Sequence, residues 1–386
     1  MAEGPKSIRE LLVEIKDNSD RMVDLALASL YFEDEELANL VRRLEERMDE
    51  LSYQFFQCAA VVSRSREEAK RLVGLLQIAV SAENISNACG DLITPVLKRM
   101  GVHPLLKDAL ASASEKLAKI KIREGSHLAN QRLGDSKLPS TLGVWVLAIK
   151  RGESYEIPNK DTIPEPNDLL VVKGPLEGLR KVCKMCGETF KPPSPSAKFR
   201  TIRKTLAKMR DAALLSVDLA YSSVLLNLPE PAQLVGEIEE KFDRLSYKLW
   251  AETLKLAKKG EKELASMLET VRYLERITDS ADLIADLMVR GIEPHPVLAE
   301  VVEETDEKIS RIQVKPGSVL ENRTVGELNL WATTGTYILF LERGEEFIYT
   351  PSARTKILVG DRLVLRGSYA GIEKVRRLAE AGVPEA

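Results

Sequence analysis

The chain is poor in the residues most enzymes are built from. Its 386 residues include three histidines and four cysteines. It has no P-loop, no G-x-G-x-x-G after a strand, no nucleophile elbow and no HExxH, so catalysis is not expected. Cys58, Cys89, Cys183 and Cys186 are too few to staple a chain of this length, which excludes a disulfide scaffold. An excess of one charge is also missing. The balance is 56 basic against 59 acidic residues, net −3. That excludes a chain-wide basic field, so neither nucleic acid nor anionic lipid is expected as a partner. Long apolar runs are absent as well. The longest notable one, Leu142 to Ile149, is far short of the ~20 residues that span a bilayer. The opening MAEGPKSIRE lacks the apolar stretch of a signal peptide. A cytoplasmic protein with no channel of its own is expected.

What the chain does have is a long internal repeat. ERMDELSY at 46–53 returns as EKFDRLSY at 240–247. At the same offset Ile8-Arg9 falls on Ile202-Arg203, and Val23-Asp24-Leu25-Ala26 on Val217-Asp218-Leu219-Ala220. Further on the offset shortens by one or two residues. Arg151-Gly152-Glu153 then meets Arg343-Gly344-Glu345, and Asp168 and Gly174 meet Asp361 and Gly367. The unit is too long for a solenoid repeat. It is a tandem duplication, so each motif can be checked against its partner.

Each copy opens helical. Ser7-Ile8-Arg9-Glu10 has capping-box spacing and predicts a helix from about Ile8 to Phe32. A second is predicted over Asp34–Ser63, where Leu37, Leu40, Leu44, Met48, Leu51 and Phe55 recur every three or four residues. Ser65-Arg66-Glu67-Glu68 is another capping box. It starts a third helix, striped by Leu75, Ile78, Ala82, Ile85, Cys89, Leu92 and Val96, with Gly101 as its stop. His103-Pro104 opens a shorter helix to about Ile120, and His103, like His295, is expected to be structural. Copy two predicts helices near Ile202–Asn227, Pro231–Lys258 and Glu261–Arg290, with Gly291 as the stop and His295-Pro296 opening the short one. Brief connections imply antiparallel bundles.

Each copy closes with strands. Val144–Ile149 and Tyr337–Leu341 lead to Arg-Gly-Glu turns, and Asp168–Val172 and Asp361–Leu365 follow. Helical segments come after them, over Leu176–Val182 and Tyr369–Ala381. Between the copies, CKMCGETFKPPSPS reads as a linker. Its Cys183 and Cys186 form one CxxC where a zinc ribbon needs two. Trp145 is expected in the core, and Trp331 in the core or an interface.

The helical parts resemble the PhoU family of three-helix regulators. Glu239-xxx-Asp243 and Glu275-Arg276-Ile277-Thr278-Asp279 carry the resemblance in copy two. Glu45-xxx-Asp49 and Glu83-Asn84-Ile85-Ser86-Asn87 carry it in copy one, where Asn87 replaces an acid. The β-rich parts resemble the TrkA-C domain of prokaryotic potassium-transport regulators. Copy two supplies Arg343-Gly344, Pro351, Gly360-Asp361 and Gly367. Copy one supplies Arg151-Gly152, Pro158, Asp161, Asn167-Asp168 and Gly174. Upstream, Ser126-x-Leu128-x-Asn130-xxx-Gly134 pairs with Ser318-x-Leu320-x-Asn322-xxx-Gly326.

Two candidate sites follow. Glu45, Asp49, Glu83, Glu239, Asp243 and Glu275 each lie at or near one residue past an apolar stripe, and Asp279 completes the copy-two set. A one-residue step is ~100° around a helix. On antiparallel neighbours it turns both pairs toward the same edge. Like charges four residues apart repel, and a divalent or ferric cation with a preference for oxygen ligands would relieve that. Metal binding is what the PhoU resemblance implies, and a solvated flank is the alternative. The second candidate is the surface carrying Ser318, Asn322, Arg343, Gly344 and Arg366. The TrkA-C resemblance implies a small regulatory ligand there, a nucleotide among the candidates. Arg343 and Arg366 could then grip a phosphate. The alternative is that Asn322 and Arg343 only shape loops.

The expected fold class is α+β multidomain, with two antiparallel PhoU-like three-helix bundles, each followed by a small TrkA-C-like domain. The boundaries are 1–122, 123–182, a linker at 183–197, 198–308 and 309–386. The resemblance implies a homodimeric, non-enzymatic regulator of potassium transport. It would relay ligand binding to a membrane cation transporter or channel subunit, and so sit at the inner face of the membrane through that partner. The alternatives are a phosphate-uptake regulator and a metal-binding scaffold.

Overall fold

The capping box at Ser7 forms as its spacing requires. The Ser7 Oγ accepts from the Glu10 N–H at 3.3 Å, and the Ser7 N–H donates to the Glu10 carboxylate at 2.8 Å. Helix α1 follows over Ile8–Phe32. Asp34 then accepts from the Leu37 N–H at 3.0 Å and starts α2, Glu35–Val62. Helix α3 is Arg66–Leu92. The predicted apolar stripes of α2 and α3 are buried along their whole length. The stripe does not stay on one helix as far as Gly101, however. Pro95, which has no N–H to donate, interrupts the ladder. Val96 falls instead in a separate short turn, α4, Thr94–Leu97. Helix α5 is Pro104–Ser112, and the His103 Nδ1 caps it by accepting from the Leu105 N–H at 3.1 Å.

The expected continuation of that helix to Ile120 is wrong. Lys116–Lys121 is strand β1, paired antiparallel with β4, Leu169–Gly174. A long-range partner overrides local preference, and Ala118 and Ile120 alternate into the core. Two short helices follow, α6 over Leu133–Ser136 and α7 over Leu138–Leu142, and then β2, Trp145–Arg151. Strand β3, Ser154–Glu156, precedes β4, and α8, Leu176–Met185, closes the module. Its sheet is antiparallel throughout, in the order β1-β4-β2-β3. The supposed linker begins later than its composition suggests. Cys183 lies in α8 and Cys186 at its C-cap, and both belong to the core of this module.

Copy two repeats the plan with α9 (Arg200–Leu225), α10 (Pro229–Ala257) and α11 (Leu264–Val289). Its module has β5 (Lys308–Gln313), α12 (Val325–Leu328), α13 (Leu330–Thr334), β6 (Thr336–Arg343), β7 (Glu346–Tyr349), β8 (Arg362–Gly367) and α14 (Tyr369–Ala379). The strand order is β5-β8-β6-β7, and both sheets carry a bulge at the same place, between Val146 and Ala148 and between Ile338 and Phe340. This computed structural model describes residues 6–62, 65–113, 115–190, 199–257, 264–292, 295–298, 308–344, 346–349 and 351–380. The helix expected after His295-Pro296 lies mostly outside them. None of the described helices is long and apolar enough to cross a membrane.

The chain separates into two compact units, and each takes half of each copy. Residues 1–114 and 193–305 form a helical unit, and residues 115–192 and 306–386 a sheet unit. In the helical unit α1, α2 and α3 pack on one another, as do α9, α10 and α11, and the two bundles meet where α3 packs on its counterpart α11. In the sheet unit α7 packs on its counterpart α13. Like has paired with like, within one chain.

Candidate functional site

The acidic candidates lie on the bundles. In copy two Glu239 and Asp243 stand on α10, and Glu275 and Asp279 on α11. Asp282, one turn further along α11, joins them; its carboxylate lies over Gly236, where an added Cβ would be 3.5 Å from its Oδ1. Burial raises Asp279 to about 6, aided by Glu275, Asp243 and Asp282. Burial, then Asp243, Asp282 and Asp279, also raises Glu239, and burial with Asp286 raises Asp282. The acidic edges of α10 and α11 therefore do sense one another. Ser246 on α10 donates its Oγ to Glu275 at 3.0 Å, tying one of these acids into the helix pair.

Copy one is built differently. The Glu45 carboxylate lies over Gly90 of α3, where an added Cβ would clash with it at 2.1 Å. Burial raises its pKa first, then Asp49 and Asp91. Asp91 in turn is paired with Arg276, which comes from copy two. A cation from the second bundle thus already sits at the copy-one edge. Glu83 lies on α3, with Asn87 one turn on, so that strip has lost a charge. Among the described residues no three His, Cys, Asp or Glu side chains converge to hold a metal ion. The carboxylates supply suitable oxygens along an edge, but they do not form a closed ligand set.

The proposed ligand surface lies on the second sheet module, and its residues are largely occupied by architecture. The Arg343 guanidinium forks onto Asp361 at 2.9 and 2.7 Å and donates to the Lys356 carbonyl at 2.7 Å. Asp361 is 1% exposed and also accepts from the Leu358 N–H at 2.8 Å. Copy one repeats the fork between Arg151 and Asp168 at 3.2 and 2.8 Å. Arg343 is therefore the half-buried counter-ion of a buried carboxylate, with its guanidinium engaged by the fold. Asn322 and Asn130 both have left-handed backbone, φ 62° and 60°, a conformation that Asn tolerates better than most residues. Gly344 likewise has φ 60°. Ser318 differs. It is buried and its Oγ has no hydrogen-bond partner; the Oγ of its counterpart, the half-buried Ser126, is likewise unpartnered.

Arg366 stands where the two modules meet, 3.5 Å from Glu115 of the first. Nearby, the Trp331 indole N–H donates to the Gly143 carbonyl at 3.0 Å, and the Lys374 ammonium to the Ser140 carbonyl at 2.7 Å. Gly143 (φ 64°) and Gly335 (φ 69°) are counterparts in the repeat, as are Pro139 and Trp331. A Cβ on Gly143 would collide with Trp331, and one on Gly335 would sit 1.4 Å from the Pro139 carbonyl oxygen. Each glycine faces the partner of the other, which is the pattern of an isologous contact. Trp331 is thus an interface residue. Trp145, in β2, is half-buried.

The CxxC is inert. Burial, then Glu188, pushes the Cys183 thiol up to about 11, and burial, then Cys183, pushes Cys186 up to about 12. Reactive thiols have depressed values. Sequence reading missed Asp91, Asp282 and Glu115. Helical spacing signalled the first two, four residues after Asn87 and three after Asp279, but nothing local marks Glu115.

The TrkA-C domain family matches residues 117–187 and 309–380, and the PhoU domain family matches residues 12–94 and 206–288. No curated protein matches the sequence. Among solved structures, PhoU from Pseudomonas aeruginosa is 14% identical, with 74% of this chain and 96% of that one covered at a TM-score of 0.41. The phosphate transport system regulatory protein PhoU from Streptococcus pneumoniae is 12% identical, with 74% and 95% covered at 0.39. The GsuK RCK domain is 13% identical, with 79% and 78% covered at 0.19.

Proposed function

Because the chain belongs to the PhoU and TrkA-C domain families, with two domains of each in tandem, we propose that it is a cytoplasmic, non-enzymatic regulator of cation transport, potassium first among the candidates. Both are regulatory domain families. The observation that carries the reading is this alternation, which leaves little of the chain for any other task. The sheet unit senses a small ligand, and the helical unit relays its state to a membrane transporter or channel subunit. The coupling is linkage: a ligand that binds one arrangement of the paired modules better than another shifts the population toward it. With Arg343 committed to Asp361, ligand contact falls to Arg366 and the unpartnered Ser318 hydroxyl.

Thermal unfolding with nucleotides, inorganic phosphate and divalent metals, each alone, tests this, since a ligand that binds only the folded state raises the midpoint. A nucleotide response that is weakened in Arg366→Ala supports it. A response to phosphate alone transfers the reading to phosphate uptake, and no response to any of them rejects a small-ligand sensor. Capture of a potassium or a phosphate transporter subunit separates the same two readings.

The acid edge of α10 and α11 favours a second reading, in which a divalent or ferric ion binds at Glu239, Asp243, Glu275 and Asp279. Isothermal titration with Mg2+, Mn2+ and Fe3+ decides it. Absence of heat, together with no metal by elemental analysis, ends that reading.

A further inference from the structure

Beyond Asp243, the outer edge of helix α10 changes from acidic to apolar, and the bundle does not cover it. Phe242, Ser246, Leu249 and Thr253 are buried and hold the helix on its neighbours. On the outside, Tyr247 is 78% exposed, Trp250 38% and Leu254 56%. Their spacing, three and then four residues, places them along one stripe. Arg244, Lys248 and Lys255 lie beside it and are exposed. Upstream, two cations sit near acids at exposed positions, where such pairs are weak. Lys241 is 3.3 Å from Glu237, and Arg244 is 3.8 Å from Glu240. Further along the helix, Glu252 is the one acid between Lys248 and Lys255.

The duplication provides an internal comparison. The counterparts on α2 are Tyr53, Phe56 and Ala60 along the stripe, and Glu50, Gln54 and Val61 beside it. From α2 to α10, then, an acid, an amide and an aliphatic residue are replaced by Arg244, Lys248 and Lys255. Phe56 is replaced by Trp250, and Ala60 by Leu254. Core packing does not require these differences, because the positions are on the outside of the helix. They convert an aromatic face that carries one acid, Glu50, into one where apolar and indole side chains are flanked by cations.

We infer that the outer face of α10, centred on Trp250, docks on an anionic lipid bilayer. Tyr and Trp are favoured at the headgroup level, where an apolar ring and a polar tip are both accommodated. Lysine and arginine beside them complement anionic headgroups. A helix already held by its opposite face can lie in the interface plane without inserting. The chain-wide charge of −3 argued against anionic lipid, but that sum averages over a helix whose first half is acidic and whose second half carries these cations. The inference does not depend on which ligand the sheet unit takes.

The full chain is tested by co-sedimentation with vesicles of phosphatidylcholine alone and of phosphatidylcholine with about 30% phosphatidylglycerol, at low salt. Binding is expected to the second only and to weaken with added salt. Arg244→Gln/Lys248→Gln/Lys255→Gln should bind on the order of a hundredfold more weakly. Trp250→Phe should lose the blue shift in tryptophan emission seen on binding. Tyr53→Ser/Phe56→Ser, on the counterpart helix, should bind like the parent. Circular dichroism confirms that each variant is folded. Equal sedimentation with neutral vesicles, or a triple variant that binds like the parent, overturns the inference. So does retention on an immobilised acidic peptide without vesicle binding, which would assign the face to a protein partner.

Discussion

At the scale of single residues, the repeat separates architecture from candidate function. Ion pairs that recur with the same geometry in both copies hold the fold. The Arg151–Asp168 and Arg343–Asp361 forks are of this kind. Removing the arginine leaves a buried carboxylate without its counter-charge, so Arg343→Ala should cost roughly 2–3 kcal/mol in urea unfolding, less than for a fully buried pair because the guanidinium is partly exposed. Arg343→Lys should restore only part of that, because one ammonium cannot replace a two-toothed guanidinium. Asp279 behaves in the opposite way. Its folded pKa of about 6 lies above the usual carboxylate value. The folded state therefore holds its proton longer than the unfolded chain does, and the stability from this group is complete below about pH 4 and is lost as pH rises through 6. Asp279→Asn should stabilise the chain at pH 7 by at most about 1 kcal/mol, discounted because Asp279 is exposed to solvent. That gain should vanish near pH 4 when unfolding is followed across the range.

At the scale of elements, helices were the readable part. Their ends carry local chemistry, as the Ser7 box shows, and their faces repeat every three or four residues. Ser7→Ala should cost about 1 kcal/mol in thermal unfolding, since an orphan amide of α1 loses its acceptor. Strands were readable where apolar residues are dense, as in β2 and β6. They were not readable at β1, where three lysines among six residues look like the end of a helix. Its strand state comes from hydrogen bonds to β4, far away in sequence. Lysine along an edge strand also guards against pairing with other chains. The acid pairs were readable as helix-edge features, because spacing alone turns them to one side. Their electrostatic neighbours, Asp91 and Asp282, emerge only once the helices are packed.

At the scale of the whole molecule, the two copies do not stand side by side as independent bundle-and-sheet pairs. The bundles associate with each other, and so do the sheet modules. The contact between modules depends on two glycines in left-handed backbone that touch the other module. Gly335→Val combines a disfavoured φ with a collision against the Pro139 carbonyl. It should separate the modules, seen as a red shift in Trp331 emission and faster proteolysis within residues 306–386, with the helical circular dichroism retained.

Duplication, helix positions, the acid edges and the two domain families can all be read from the order of residues, because each depends on neighbours within a few turns or on a direct match between copies. The pairing of like halves, the burial of Cys183 and Cys186, the commitment of Arg343 to Asp361 and the interface role of Trp331 cannot. Each is a contact between residues distant in the chain, and its energy exists only after folding has brought both partners out of water. Even the cation-flanked aromatic stripe of α10 takes on meaning only once the structure shows which side of the helix is left outside.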